Sequence, residues 1–176
     1  GFALGLMALL LLTLVRNDLL AGWQSALPPD APNRFLINIQ PNQLPALRQF
    51  FQNEKLATPN FYPMVRGRLA LINDRPVSAQ DYTDERTKRL VEREFNLSWA
   101  DQPRKDYQFN AGRWWRATDA QDQFSVEEGL AKSLNIRLGD RLSYDIAGTR
   151  VSGRVTSLRK VAWDTMQVNF FVIAPS

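Results

Sequence analysis

The sequence predicts an α+β fold carried on one long apolar helix. Three observations predict it. Residues 1–15, GFALGLMALLLLTLV, contain no charge. Residues 42–55 and 125–135 space their apolar side chains for helices, and residues 62–73 and 141–158 alternate as strands do.

The apolar opening is unlike anything later in the chain. As a helix it covers ~22 Å at ~1.5 Å per residue, less than the ~30 Å of a hydrocarbon core. It starts without Met, so the expectation is the back end of a transmembrane helix whose front is absent. A signal peptide would need a basic leader and an A-x-A-like site, neither of which stands near Val15, and a buried soluble helix is the remaining alternative. Arg16 is the only basic residue before Arg34. That scarcity favours an outside location for the residues beyond the helix, since cytoplasmic flanks are enriched in Lys and Arg. Trp23 suits the lipid–water interface, and Leu19 and Leu20 extend the helix a turn or two. Pro28, Pro29 and Pro32 then make LPPDAPN a stiff connector.

The run FLINIQ at residues 35–40 reads as a buried strand. Residues 42–55 come next as a helix, with Leu44, Leu47, Phe50 and Phe51 on one face and Pro45 in its first turn. Residues 62–73 read as a strand, so strand, helix and strand suggest an α/β lobe over about 33–73. Asn73-Asp74-Arg75-Pro76 is a turn. Residues 83–95 form a charged helix with Glu85–Arg89 and Lys88–Glu92 in the favoured i, i+4 order. Arg86, Arg89 and Arg93 line one face, which is either a docking surface or a solvated one.

Residues 96–99 and 107–115 are β-like, and residues 119–122 form a surface loop. Ser125-Val126-Glu127-Glu128 has the form of a capping box, with Leu130 and Leu134 facing the core and Asn135 at the C-cap. Residues 141–146 and 150–158 pair across Ala147-Gly148-Thr149, with Gly139-Asp140 as the preceding turn. Residues 169–173 form a last strand. The β-rich part thus covers about 96–176.

Composition limits the chemistry. The 176 residues contain no Cys and no His, which removes thiol nucleophiles, zinc-thiolate sites, the usual neutral-pH base and a Ser-His-Asp triad. Net charge is +4, from 22 Lys and Arg against 18 Asp and Glu, with the signs interspersed. No nucleic-acid stripe results. Ser157-Leu158-Arg159-Lys160 matches S-x-x-K, but on a strand residues i and i+3 point to opposite faces, and no K-T-G triplet occurs after it. Glu127 and Glu128 are explained by capping. No phosphate loop and no calcium loop occur, so neither a metal nor a cofactor is expected in this chain. Trp114 and Trp115, between Arg113 and Arg116, form the densest aromatic spot and are the candidate binding residues.

Five stretches together carry a resemblance: LPPDAPNRFLINIQPNQ after the apolar helix, REFNLSW, AGRWW, SVEEGLAKSLNIRLGD, and VTSLRKVAWDTMQVNFFVIAP. They resemble the extracytoplasmic domain of FtsX/MacB-like ABC transporter permeases, in particular the second periplasmic domain of the YbbP-like branch. The resemblance implies a MacB-like periplasmic core of two lobes over residues 28–176, preceded by the end of a transmembrane helix over residues 1–27. It implies a bacterial inner-membrane protein with this domain on the periplasmic side. ATP would be bound by a cytoplasmic ATPase partner, and a periplasmic esterase-type partner is a further implication. The expected function is mechanotransmission, in which ATP-driven helix motion does periplasmic work on a hydrophobic or lipid-like cargo without catalysis here. Residues 4–23 would be the lever, with Arg16 and Trp23 as its coupling residues. The alternatives are a membrane-anchored extracytoplasmic sensor or adaptor, and a hydrolase using Ser157 and Lys160.

Overall fold

The computed structural model describes residues 1–26, 34–116, 118 and 121–176, with the backbone alone for residues 23–26. The LPPDAPN connector and part of the loop at residues 119–122 lie outside the described residues, as does the side chain of Trp23. The chain divides into two compact units: Gly1–Leu44 with Trp163–Gln167, and Pro45–Ala162 with Val168–Ser176.

The first unit contains helix α1, Phe2–Ala26. Its Phe2–Gly22 portion is long and apolar enough to cross a membrane and is wholly exposed. The helix runs past Leu19 and Leu20, as their apolar character predicts. Residues 35–37 do not form the expected buried strand. They lie in irregular backbone with Phe35, Leu36 and Ile37 exposed. Asn38 turns to φ 59°, which ends any extended run there.

The second unit, from Pro45, holds all of α2 (Leu44–Asn53) but its first residue; a 3-10 turn at Pro41–Gln43 precedes the helix. Eight strands form one sheet: β1 Val65–Ile72, β2 Arg75–Pro76, β3 Glu94–Trp99, β4 Gln108–Gly112, β5 Gln123–Glu127, β6 Arg141–Ile146, β7 Thr149–Lys160 and β8 Val172–Ala174. Helix α3, Glu85–Glu92, precedes β3, and α4, Glu128–Leu134, comes after β5. The pairings run β1–β3–β8–β5–β7–β6 and return to β1, closing a six-stranded ring. Closure leaves those strands without open edges. The strand of the expected α/β lobe therefore shares its sheet with the strands of the β-rich part. The α+β class stands, with helices and strands both present around one barrel.

Small barrels fill their interiors with side chains. Every ring strand contributes here: Leu69, Phe95 and Leu97, Val172, Phe124 and Val126, Val155, and Leu142 and Tyr144 are all buried. Leu130, Ala131 and Leu134 of α4 and Val91 of α3 join the same cluster. Each buried Leu, Val or Phe among them contributes about 1.5–3 kcal/mol relative to exposure. Two tight hairpins fix the register. Asn73 and Asp74 adopt left-handed φ values of 51° and 63° between β1 and β2, and Ala147 and Gly148 do so between β6 and β7 at 49° and 84°. Such turns match the twist of the strands they join.

Two helix boundaries differ from expectation. Helix α3 ends before Phe95, which belongs to β3 with its ring inside the barrel. Its start is Asp84, whose carboxylate accepts from the Thr87 amide and hydroxyl at 2.9 Å each. Lys88 bonds Glu85 one turn back rather than Glu92 ahead. Helix α4 starts three residues after Ser125, and its cap is Glu127, whose carboxylate accepts from the Gly129 and Leu130 amides at 2.9 and 2.7 Å. Ser125 is unavailable for capping because it is a fully buried strand residue whose hydroxyl accepts from Ser157. Asn135 closes the helix at φ 56°, as expected of a C-cap. The final strand, β8, starts at Val172 rather than residue 169.

Candidate functional site

The outer surface of β5, β7 and β8 differs from the barrel interior, and one irregularity creates the difference. Val155 of β7 pairs with Phe124 of β5, but the next pair is Ser157 with Ser125, so Thr156 is an unpaired bulge residue. A bulge re-aims the side chains beyond it. Gly153 and Val155 therefore face inward, Gly153 against the Phe124 ring and Val155 in the core cluster. Ser157 and Arg159 instead align with Ser125 and Glu127 on the outside. Adjacent Val172 and Ile173 of β8 divide likewise between the inner and outer clusters.

Aromatic rings cover this outer row. Trp115, Phe170 and Ile173 form its buried cluster, with Tyr62, Tyr107 and Trp114 against it. Arg159 lies beneath, fully buried. Its Nη2 donates to the Phe170 carbonyl at 2.6 Å, and its guanidinium stands 5.0 Å from the Tyr107 ring centre. Its Nε and Nη1 have no partner among the described residues. Loss of hydration pulls the Arg159 pKa down to about 10, against the raising influence of Tyr107 and Glu127. The group is still charged at neutral pH. Arg104 stacks over Tyr62 and Tyr107 at 5.7 and 5.0 Å and bonds Asp106 and the Val168 carbonyl. Burial pushes the Tyr107 hydroxyl pKa up, although both arginines oppose it.

Trp114 and Trp115 lie past the end of β4 rather than on a strand. Freed from strand alternation, their rings stack at 3.9 Å between centres and 30° between planes instead of facing opposite sides. The Trp114 indole donates to the Asp101 carbonyl at 3.0 Å. Both rings line a groove of about 540 Å³ with Arg113, Leu138, Arg154 and Thr156. Gly112 also lines it. Its φ is +71°, and a Cβ there would stand 2.1 Å from the Thr156 carbonyl. Trp115 Nε1 and Thr156 Oγ1 are buried without partners among the described residues. A second groove of about 520 Å³ lies between the β1–β2 hairpin and the end of α4, lined by Ile72, Val77, Tyr82 and Leu134 among others.

This arrangement is suited to binding. The Ser157 hydroxyl donates to Ser125 at 2.8 Å, and the nearby Glu127 carboxylate is engaged in capping. Lys160 is exposed at the end of β7 while Ser157 is fully buried, so the S-x-x-K pair does not converge. No cluster of metal-ligating side chains exists among the described residues.

The structure thus brings Trp114 and Trp115 together. Arg16 and Trp23 belong to the other unit, on α1, where Arg16 is exposed. Of the basic face read there, Arg86 and Arg89 on α3 and Arg93 just past it are all exposed, and the Arg93 guanidinium stands over the Phe95 and Phe171 rings at 5.5 and 5.4 Å. Arg159, Tyr107 and Arg104 carry no sequence signal of their own. Only the bulge makes Arg159 an outward partner of the aromatic cover.

No family model matches the chain. It is 41% identical over 175 residues to an ABC transporter permease, YbbP of Escherichia coli strain K12. The match takes in 99% of this chain and 21% of that protein, so the chain spans about a fifth of its relative's length. Among solved structures, a permease-protein domain from Porphyromonas gingivalis aligns with 73% of this chain and 55% of its own, at 15% identity and a TM-score of 0.40. By its identity to YbbP over essentially its whole length, the chain belongs to the ABC transporter permeases, as the resemblance read from the sequence implies.

Proposed function

From its relation, end to end, to a segment of an ABC transporter permease, we propose that this chain is the extracytoplasmic coupling domain of such a permease. ABC permeases work with a cytoplasmic ATPase, and in this reading the partner holds the ATP. Helix α1 takes up the motion that the ATPase imposes on the membrane helices and delivers it to the domain it carries. The work is then done on the periplasmic side of a bacterial inner membrane. Arg16 and Trp23 are the coupling residues on the lever.

The observation that carries this reading is the continuity of α1. Its 25 residues include a stretch of membrane-spanning length and run on without a break to Ala26. A rigid rod crossing the water interface transmits axial displacement; a loop there would absorb it.

The Trp114–Trp115 groove is the proposed contact for a hydrophobic or lipid-like cargo, supported by its aromatic floor and its basic residues Arg113 and Arg154. An esterase-type partner is a further expectation of the same reading. The domain is non-enzymatic, which the separation of Ser157 from Lys160 supports. Under the hydrolase alternative Lys160→Ala would abolish activity; under this reading it leaves transport unchanged. Purifying the full-length protein in detergent tests the assignment. An ATPase subunit should come with it in fixed ratio. Isolation of a protein that neither binds an ATPase nor stimulates one would favour the sensor or adaptor reading.

A further inference from the structure

The unit that contains α1 has a second apolar feature. Residues 35–37 present Phe35, Leu36 and Ile37 to the outside at 48%, 59% and 77% exposure. Trp163–Gln167, part of the connector between β7 and β8, belongs to the same compact unit although it is more than a hundred residues away in sequence. It exposes Trp163 and Met166, the latter on a backbone at φ 56°. Five large apolar side chains are thus exposed in the same unit as the helix that is long and apolar enough to cross a membrane.

We infer that Trp163–Gln167 and residues 35–37 seat in the headgroup layer of a lipid bilayer, giving this chain a second membrane contact besides α1. The inference rests on the reading of α1 as a membrane span. Its 21 apolar-span residues measure ~32 Å at ~1.5 Å rise, enough to cross a ~30 Å hydrocarbon core. Both segments lack helix or strand hydrogen bonding. Irregular backbone exposed to lipid is excluded from the hydrocarbon region, so the interface is the depth open to them. Tryptophan is favoured at that depth. Charge does not decide the contact: Arg16 and Arg34 offset Asp18 and Asp164 among the unit's described residues. A neutral bilayer therefore suffices.

The absence of cysteine in this chain makes the test direct. In the full-length protein, with any other cysteines replaced, single cysteines at Met166, Ile37, Val151 and Leu10 are labelled with a nitroxide, Val151 being an exposed residue of β7. After reconstitution into phosphatidylcholine vesicles, each label's collision rate with oxygen is compared with that of a water-soluble nickel chelate. Labels at Met166 and Ile37 should favour oxygen severalfold over the label at Val151, with a depth shallower than Leu10. Water-like collision at both positions, matching Val151, overturns the inference while leaving the span intact. Shielding from both reagents also overturns it, since protein and not lipid would then cover these side chains. A water-exposed label at Leu10 would instead remove the membrane span on which the inference rests.

Discussion

The inside and the outside of the barrel are built on the same strands yet obey different rules. Inside, Phe95, Val126, Leu142, Tyr144 and Val155 pack apolar surface against apolar surface, and of these only Tyr144 carries a buried side-chain polar atom, its hydroxyl, which has no partner among the described residues. Outside, across β5, β7 and β8, Ser125, Glu127, Ser157 and Arg159 form a polar row under aromatic rings, and two nitrogens of Arg159 lack partners among the described residues. Stability alone does not require a buried guanidinium; well-packed apolar residues in place of buried ions are often neutral or stabilising. The interior therefore specifies the fold, and the outer face is where a different demand is met.

The largest expected effect is inside. Phe95→Ala should cost about 3–5 kcal/mol, because it empties a ring that packs against Tyr144 and Phe171. A denaturant titration reads this directly, and a loss below about 1 kcal/mol would mean the interior is not the closed core described here. Next comes Gly112, at the end of β4. Gly112→Ala must combine a left-handed φ with a Cβ driven against the Thr156 carbonyl, for about 2–4 kcal/mol. Its thermal midpoint should fall well below that of the parent.

A smaller effect separates the two candidate caps of α4. Glu127→Ala should cost about 1–2 kcal/mol through loss of the bonds to the Gly129 and Leu130 amides. Helicity, monitored by circular dichroism against temperature, should report the loss. Ser125→Ala removes no cap, and its cost comes instead from leaving the buried Ser157 hydroxyl without its acceptor. The smallest change in stability sharpens the comparison most. Arg159→Met keeps the bulk and removes the buried charge, so stability should change by less than about 1 kcal/mol or rise. Transport by the full-length protein should nevertheless fall. Strong destabilisation with unaltered function in the folded fraction would make Arg159 a structural residue like those inside.

Much of the interior was legible in the sequence, because period-two alternation reports which side chains of a strand are covered. Leu69, Leu142, Tyr144 and Val155 lie where such alternation puts them, and Gly148 sits in the hairpin its position suggested. The capping pattern at residues 125–128 pointed to the right helix but the wrong cap, since a serine hydroxyl and a glutamate carboxylate offer the amides similar acceptors. FLINIQ misled for a related reason: an apolar β-branched run marks what would gain from burial, and exposed residues 35–37 have the same composition as a buried strand. The outer site was visible only in part. Trp114 and Trp115 stood out by their density, but their stacking arises from the end of β4. The placement of Arg159 arises from a bulge at Thr156, which depends on partner strands far away in sequence.

The central claim is that this domain receives motion through α1 and performs no reaction of its own. Inserting Gly-Gly after Asn17 in the full-length protein tests it most directly, by measuring ATP hydrolysis and transport on the same preparation. The account predicts that hydrolysis persists while transport is lost, because two glycines break the continuity of the rod. Transport at the parental ratio to ATP hydrolysed would contradict it.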